Sequence, residues 1–406
     1  MKDRRLLVIA EIGCGPPYMG NRMRMRTLLE ECRGMGYEIH FAGVKFSGEE
    51  RAATMPYVDR WVCGFTGVEG LGWGARQVER VRRRLRRWFG VGRDGGATGG
   101  EAGEENVDRW MAGRWVGEAR RLQRRERYER VLVAYVFHSA FLEAFGGECR
   151  KVLDAHDVFA GRKERLGAAG VRDYWFTTSE AEERRALERA DVVMAIQGKE
   201  AAYFRGLLGG KGEVVEVGHF LEVGGERRER VVGERQRVGF LASDNPLNVD
   251  ALRWFLGEVW PEVVARMPGV ELLVGGKVCG AVSGEGVAGV ELAGEVGEVA
   301  EFYGRCVCSV NPMRIGTGLK IKTLESMAHG CPVVATPVGA EGLESCEGRG
   351  LVVAEGREAF VEALVGWLGS REVVEAQGEA GRAAVKEING RWREALRGAL
   401  GGGDFA

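Results

Sequence analysis

Residues 308–336 read C-S-V-N-P-M-R-I-G-T-G-L-K-I-K-T-L-E-S-M-A-H-G-C-P-V-V-A-T, and this stretch decides the fold. With Arg305, Cys306 and Val307 before it, its opening has the make-up of a short buried strand. Asn311 and Pro312 stop that strand, because proline brings no N–H to a ladder. Gly316, Thr317 and Gly318 follow as a loop whose backbone amides can turn toward an anion. From Leu319 onward, Leu324, Met327 and Ala328 recur over Ile321 at helical spacing. Gly330 closes the helix, and Pro332, Val333, Val334 and Ala335 begin another strand. Strand, loop, helix and strand make a parallel βαβ unit, whose ligand site lies at the carboxyl end of the first strand.

Charge gives that unit a chemistry. Lys320 and Lys322 fall in the first turn predicted for the helix, where the positive end of the dipole offers a cation nothing. Two lysines, loop amides and a helix N-terminus together suit a phosphate or diphosphate. Glu325 and His329 share the face of Lys322. An exposed face with a Lys–Glu pair is the plain alternative for the three, and it is the preferred reading of His329.

The segment resembles the donor half of a retaining, GT-B-type nucleotide-sugar glycosyltransferase of the family 4 group. The resemblance rests on Gly316, Gly318, Lys320, Lys322 and Glu325, which fit the pattern G-x-G-x-K/R-x-K-x-x-E of one branch, and on L-E-S-M-A-H-G-C-P-V-V-A-T. It implies that Glu325 contacts the donor ribose. Many members carry a second Glu eight positions earlier, where this chain has Thr317. The implied donor site comprises Gly316, Thr317, Gly318, Lys320, Lys322 and Glu325, with Lys322 and Glu325 also acting in catalysis.

The 406 residues suit two domains. A hydrophobic share of 45%, a charged share of 29% and a formal net charge of -1 describe a globular chain without the basic field of a nucleic-acid protein. The nine cysteines are scattered, with no CxxC pair, as expected of buried thiols in a reducing cytoplasm. The apolar run before Glu11 is too short for a signal peptide, and no stretch is apolar enough for a membrane span. Cytoplasmic location follows as an expectation. Neither an H-E-x-x-H motif nor a glycosidase-like carboxylate pair is evident, so no metal or cofactor is expected beyond the donor substrate.

Along the first half, residues 6–10 form a continuous apolar run, the mark of a strand covered on both faces. A glycine loop, a helix carrying Met25, Leu28 and Leu29, and a strand over 39–44 follow. The loop lacks a clean G-x-G-x-x-G, which argues against a tightly held dinucleotide. Its Gly15 and Gly20 are either turn residues or, by the resemblance, acceptor-side groups. A third strand is read over 58–65. Residues 77–89, Q-V-E-R-V-R-R-R-L-R-R-W-F, place Val78, Val81, Leu85, Trp88 and Phe89 on one helical stripe with arginines around it. That suits either an anionic membrane surface or packing on the protein itself. A glycine-rich run, 90–105, and a polar helical stretch, 107–128, follow.

Strands are predicted over 131–136 and 151–154. The second delivers His156 and Asp157 to its carboxyl end, where catalytic groups stand in open α/β sheets. The resemblance makes His156 a contact of the donor sugar and adds Arg162 on the acceptor side. A structural histidine is the alternative, and Asp157 is equally a candidate N-cap. A helix from Ser179, a strand over 191–196, a helix from Gln197 and a strand over 214–217 complete the half.

The strand pattern restarts at 237–242, followed by Ser243 and a helix capped by Asn248 with Pro246 shaping its entry. By the resemblance this loop faces the donor through Ser243 and Asn248. It lacks the Arg and Lys of many relatives, which shifts the diphosphate onto Lys320 and Lys322. After a strand over 290–293, Gly294, Glu295 and Val296 match the turn that reads the base. The predicted architecture is α/β, a GT-B fold of two doubly wound Rossmann-like domains facing across a cleft. Its domains run over 1–220, with an insertion at 68–128, and 237–385, joined by a linker at 221–236. A closing helix over 386–406 is expected to cross back to the first domain. The resemblance implies a retaining, hexosyltransferase-type enzyme taking a nucleotide-sugar donor and a glycan or lipid-linked acceptor, with a place in polysaccharide biosynthesis; the membrane reading of residues 77–89 would add a peripheral position at the membrane's inner face. A nucleotide-sugar epimerase of the same fold and a non-catalytic nucleotide- or glycan-binding protein stand as alternatives.

Overall fold

A computed structural model describes residues 4–15, 20–65, 105–168, 176–224, 236–282 and 286–401. The arginine-rich stripe of residues 77–89 and most of the glycine-rich run after it lie outside these described residues. The chain divides into two units, residues 1–217 with 395–406, and residues 218–394.

In the first unit the apolar runs become strands: β1 (Arg5–Ala10), β2 (Glu38–Val44), β3 (Arg60–Phe65), β4 (Arg130–Ala134), β5 (Arg150–His156), β6 (Val192–Ala195) and β7 (Glu213–Glu216). They pair in parallel in the order β3-β2-β1-β4-β5-β6-β7. Leu6 to Ala10 are fully buried, as a strand covered on both faces requires. The order reverses beside β1, where β2 lies on one side and β4 on the other, and such switch points hold ligands at the strands' carboxyl ends.

Two expectations need correction here. The strand read over 131–136 stops at Ala134, because Tyr135 adopts φ 71° and the chain passes into a 3-10 segment, Val136–Ala144. Helix in the 107–128 stretch is confined to Trp115–Glu126.

The second unit holds β8 (Arg237–Leu241), β9 (Glu271–Gly275), β10 (Val290–Gly294), β11 (Cys308–Asn311), β12 (Val333–Ala335) and β13 (Leu351–Val353). These too are parallel, in the order β10-β9-β8-β11-β12-β13. Arg305, Cys306 and Val307 precede β11 rather than opening it. Helix Pro246–Trp254 continues through a π turn, Phe255–Val259, into Trp260–Arg266. Pro261 accounts for the widened turn, since its ring and missing N–H break the regular ladder one turn earlier. Phe255, Trp260, Phe360, Leu364 and Trp367 pack in one buried cluster beneath this helix.

The last helix, Arg371–Ala399, starts in the second unit, and its final residues belong to the first. Its terminal carbonyls are captured there: Arg130 Nε donates to Leu400 at 2.9 Å and Arg150 Nε to Ala399 at 2.6 Å. Side-chain donors thus satisfy carbonyls that a helix end leaves unpaired. Among the described residues no helix is long and apolar enough to cross a membrane.

Candidate functional site

In the second unit the site is built at the carboxyl end of β11. Asn311 ends the strand, and its buried Nδ2 donates to Thr323 Oγ1 at 2.8 Å and to the Gly339 carbonyl at 3.0 Å. A side chain at Gly339 would stand 2.1 Å from the Asn311 carbonyl oxygen, so only glycine permits this approach. Strand, helix and following turn are thereby locked together. Gly316 and Gly318 carry φ of 140° and 82°, the region that glycine alone enters freely.

The helix begins two residues later than its spacing suggests, as Ile321–Ala328, with Lys320 at the cap position and no side chain capping it. Backbone bonds close its opening turn instead: the Ile321 amide donates to the Leu319 carbonyl at 3.0 Å and the Thr323 amide to the Lys320 carbonyl at 3.0 Å. Lys320, expected at the anion, turns inward instead: it is 5% exposed, and its Nζ donates to the Gly318 carbonyl at 2.7 Å and to Glu341 Oε2 at 3.0 Å. It shapes the glycine loop from beneath. Burial of an ammonium requires such a partner, and Glu341 supplies it.

Lys322 differs. Its Nζ donates to Asn248 Oδ1 and lies 5.6 Å from the Phe240 ring centroid, with no carboxylate in contact among the described residues. Burial, aided by the charge of Lys320, pulls the ammonium down to about 7. Asn248 is not the helix cap; Asn245 is, accepting from the Leu247 amide at 2.9 Å. Asn248 lies inside the helix, and its Nδ2 reaches the Ser243 carbonyl at 3.2 Å and Oγ at 3.1 Å. Ser243, Asn248 and Lys322 therefore form one connected group.

Glu325, three residues along the same helix, is half-buried and has no hydrogen-bond or ion-pair partner among the described residues. The surface Lys–Glu pair is therefore absent. Burial pushes the Glu325 carboxyl up to about 7. An acid raised and a base lowered on one short helix form the kind of perturbed pair that functional sites collect. Thr317 is exposed beside Gly316. Gly294 ends β10 at φ 71°, ahead of Glu295, while Val296 packs toward Phe302 and Leu273. His329 is half-buried rather than exposed, and its ring stacks on Tyr303 with centroids 5.8 Å apart.

The first unit gathers a second group at the carboxyl end of its sheet. His156 is the last residue of β5, with φ 65° and 4% exposure. Its ring stacks on Tyr135 at 3.9 Å, and its Nε2 lies 3.2 Å from Asp154 Oδ2. Asp154, fully buried, receives Arg24 Nη2 at 2.7 Å and Nε at 3.2 Å. Burial opposes ionisation of Asp154, but Arg24 and then His156 outweigh it and hold the carboxyl below its ordinary range. Tyr135 accepts from Asn21 Nδ2 at 3.3 Å.

Beside this group Glu11 follows β1, with Lys45 Nζ at 3.0 Å and His138 Nε2 at 3.2 Å. Lys45, Tyr135 and His156, at the ends of β2, β4 and β5, are all left-handed non-glycine residues. Backbone strain of this kind persists where surrounding structure fixes it, and it clusters at functional sites.

The remaining expected residues fall nearer to structure. The Gly15 carbonyl accepts from Arg22, and a side chain at Gly15 would meet Ala53 Cβ at 2.9 Å, which makes it a turn residue packed under a helix. Gly20 opens the helix Gly20–Gly34. Arg162 opens Arg162–Ala168 and pairs with Asp157 Oδ2 at 3.3 Å. Asp157 lies five residues before that helix and does not cap it.

Residues 235–370 match the family described as Glycosyl transferases group 1. Over 133 residues the chain is 27% identical to an uncharacterized 44.6 kDa protein in the cps region of Klebsiella pneumoniae, a match covering 30% of this chain and 34% of that one. The similarity thus spans about a third of that relative's length. Among solved structures, sucrose-phosphate synthase from Thermosynechococcus elongatus superposes with a TM-score of 0.63 at 15% identity, over 95% of each chain. HepE of Anabaena in complex with UDP gives 0.64 at 12% identity, over 97% of this chain and 100% of that one. TarM gives 0.64 at 10% identity, over 96% and 98%. At these identities the likeness establishes the fold: two Rossmann-like domains of the GT-B type.

Proposed function

We propose that the chain is a retaining glycosyltransferase, which moves a sugar from a nucleotide diphosphate donor to the hydroxyl of a glycan or lipid-linked acceptor. The observation that carries this is the Ser243–Asn248–Lys322 group with Glu325, whose carboxylate has no partner among the described residues, beside a helix start that no side chain caps. The family match over residues 235–370 supports it. In the proposed step the bond between the anomeric carbon and the diphosphate oxygen breaks, and the acceptor oxygen bonds to that carbon from the same face. The acceptor's proton leaves with the diphosphate. Charge growing on the departing group is met by Lys322 and the positive end of the helix. Lys320 shapes the glycine loop ahead of that helix, and Glu325 accepts from ribose hydroxyls. We assign His156 a part in turnover.

Replacing His156 with Ala tests that assignment. The expected result is a kcat reduced roughly a hundredfold, with nucleotide affinity and melting temperature nearly unchanged. Lost stability with normal activity per folded molecule would return His156 to a structural part. Product analysis in the same assay separates transfer, which frees nucleoside diphosphate, from epimerisation, which leaves the nucleotide sugar whole.

Affinity for the nucleotide should also depend on pH. Lys322, lowered to about 7, carries its charge below that value, and Glu325, raised to about 7, is neutral there. Both changes favour an anion as pH falls. Titration calorimetry at pH 6 and pH 8 should show tighter nucleoside diphosphate binding at pH 6. A flat or inverted dependence would count against the assignment of these two groups.

A further inference from the structure

The turn that follows His156 is gripped by two side chains of opposite charge. Glu183, fully buried on helix Glu180–Leu187, accepts from the amides of Phe159 at 2.7 Å and Ala160 at 3.2 Å. Arg165 donates from the other side to the carbonyls of Val158, at 2.9 Å, and Ala160. Two backbone bonds to Thr178 close the frame: the Gly161 amide donates to its carbonyl at 3.0 Å, and its amide donates to the Phe159 carbonyl at 3.1 Å. Phe159 is fully buried against Tyr135, with ring centroids 6.2 Å apart, and Tyr135 is the ring on which His156 stacks.

A buried carboxylate is costly, and a turn needs none to satisfy two amides. What the carboxylate adds is direction, since its two oxygens fix both N–H groups at once and Ser179 caps the helix that carries it. We propose that Glu183 is a positioning residue that sets the His156 ring through the turn of residues 158–161. The inference rests on the turnover part assigned to His156. Burial pushes the Glu183 carboxyl up to about 7, against the pull of the two amides, Arg165 and Tyr203, which is the mark of an acid kept in place at a cost.

Glu183→Gln keeps the shape but offers one acceptor oxygen, setting an amide NH2 against the second N–H. Two readouts separate the inference from the assignment beneath it. Amide exchange at Phe159 and Ala160 should quicken by roughly tenfold as the grip loosens. In steady-state assays of donor consumption, kcat should fall on the order of tenfold to a hundredfold while KM for the donor stays put. The double variant with His156→Ala should be no slower than His156→Ala alone, because both changes act through one ring. Wild-type kcat in Glu183→Gln beside an impaired His156→Ala, or losses that multiply in the double variant, would overturn the inference alone. Wild-type kcat in His156→Ala would overturn the His156 assignment and the inference with it, even where the amides exchange faster. If Glu183→Gln fails to fold, Glu183→Asp, one methylene shorter with the charge kept, carries the same comparison.

Discussion

Lys322→Ala should weaken nucleoside diphosphate binding by at least roughly tenfold while the protein stays folded. Among the described residues the Lys322 ammonium has Asn248 as its polar partner and no carboxylate to neutralise it, so the charge is available to a ligand. A hydrogen bond to a charged group contributes about 1.5–3 kcal/mol, and about 1.4 kcal/mol is already tenfold in affinity. Lys322 is half-buried and its ammonium hydrogen-bonds to Asn248, so its removal should change the melting temperature little. Lys320→Ala is the contrast: it strands Glu341 and frees the glycine loop, so its effect should include a lower melting temperature. Titration calorimetry and thermal melts on the two variants decide the matter. Equal affinity in folded Lys322→Ala would remove this helix start from the account.

Asp154→Ala should cost far more stability than any change in the second unit's site. It leaves the Arg24 guanidinium, whose side chain is 2% exposed, without its carboxylate. Breaking a buried pair from one side typically costs about 3–5 kcal/mol, which for a unit of this size lowers the melting temperature on the order of 10 °C. Replacing both partners by apolar residues, Arg24→Met with Asp154→Leu, should recover most of the loss, since no unpaired charge remains. The pH dependence follows from the lowered carboxyl of Asp154. Its folded value lies below the unfolded one, so its contribution is complete above about pH 4 and is lost as pH falls further. Chemical denaturation at pH 7 and pH 3 should show the Asp154→Ala deficit in full at the first and reduced but still present at the second, because the folded carboxyl stays ionised at pH 3. A small deficit at pH 7 would mean that the pair is solvated.

Both sheets were legible in the sequence, because parallel strands buried on two faces leave unbroken apolar runs such as Leu6 to Ala10 and Val333 to Ala335. Boundaries were less legible where local geometry overrode composition. Val136 belongs to an apolar run, yet the left-handed Tyr135 ends the strand before it. Asn248 has the composition of a cap, but Pro246 fits the first helical turn and hands that part to Asn245.

The site shows the same division. Glycine spacing and two lysines locate the helix start, whereas composition gives no sign that one lysine points inward, because the partner Glu341 is twenty-one residues away. In the first unit His156 stands where the strand ends, but its supports were missed. Two signals were present: Arg24 adjoins the apolar stripe of Met25, Leu28 and Leu29, and Asp154 interrupts the apolar run of Val152, Leu153 and Ala155. A charge of each sign in buried positions implies a pair. Glu183 gave no signal, because one acid among several on a polar helix is indistinguishable until the helix is placed.

The central claim is that this chain consumes a nucleotide diphosphate sugar. It is tested most directly by following nucleoside diphosphate release from a panel of such donors, differing in base and sugar, by wild-type protein and by Lys322→Ala and His156→Ala. At least one donor should yield free nucleoside diphosphate, with the rate falling in both variants. A folded wild-type protein that releases none from any member of the panel, or releases it equally in all three proteins, would contradict it.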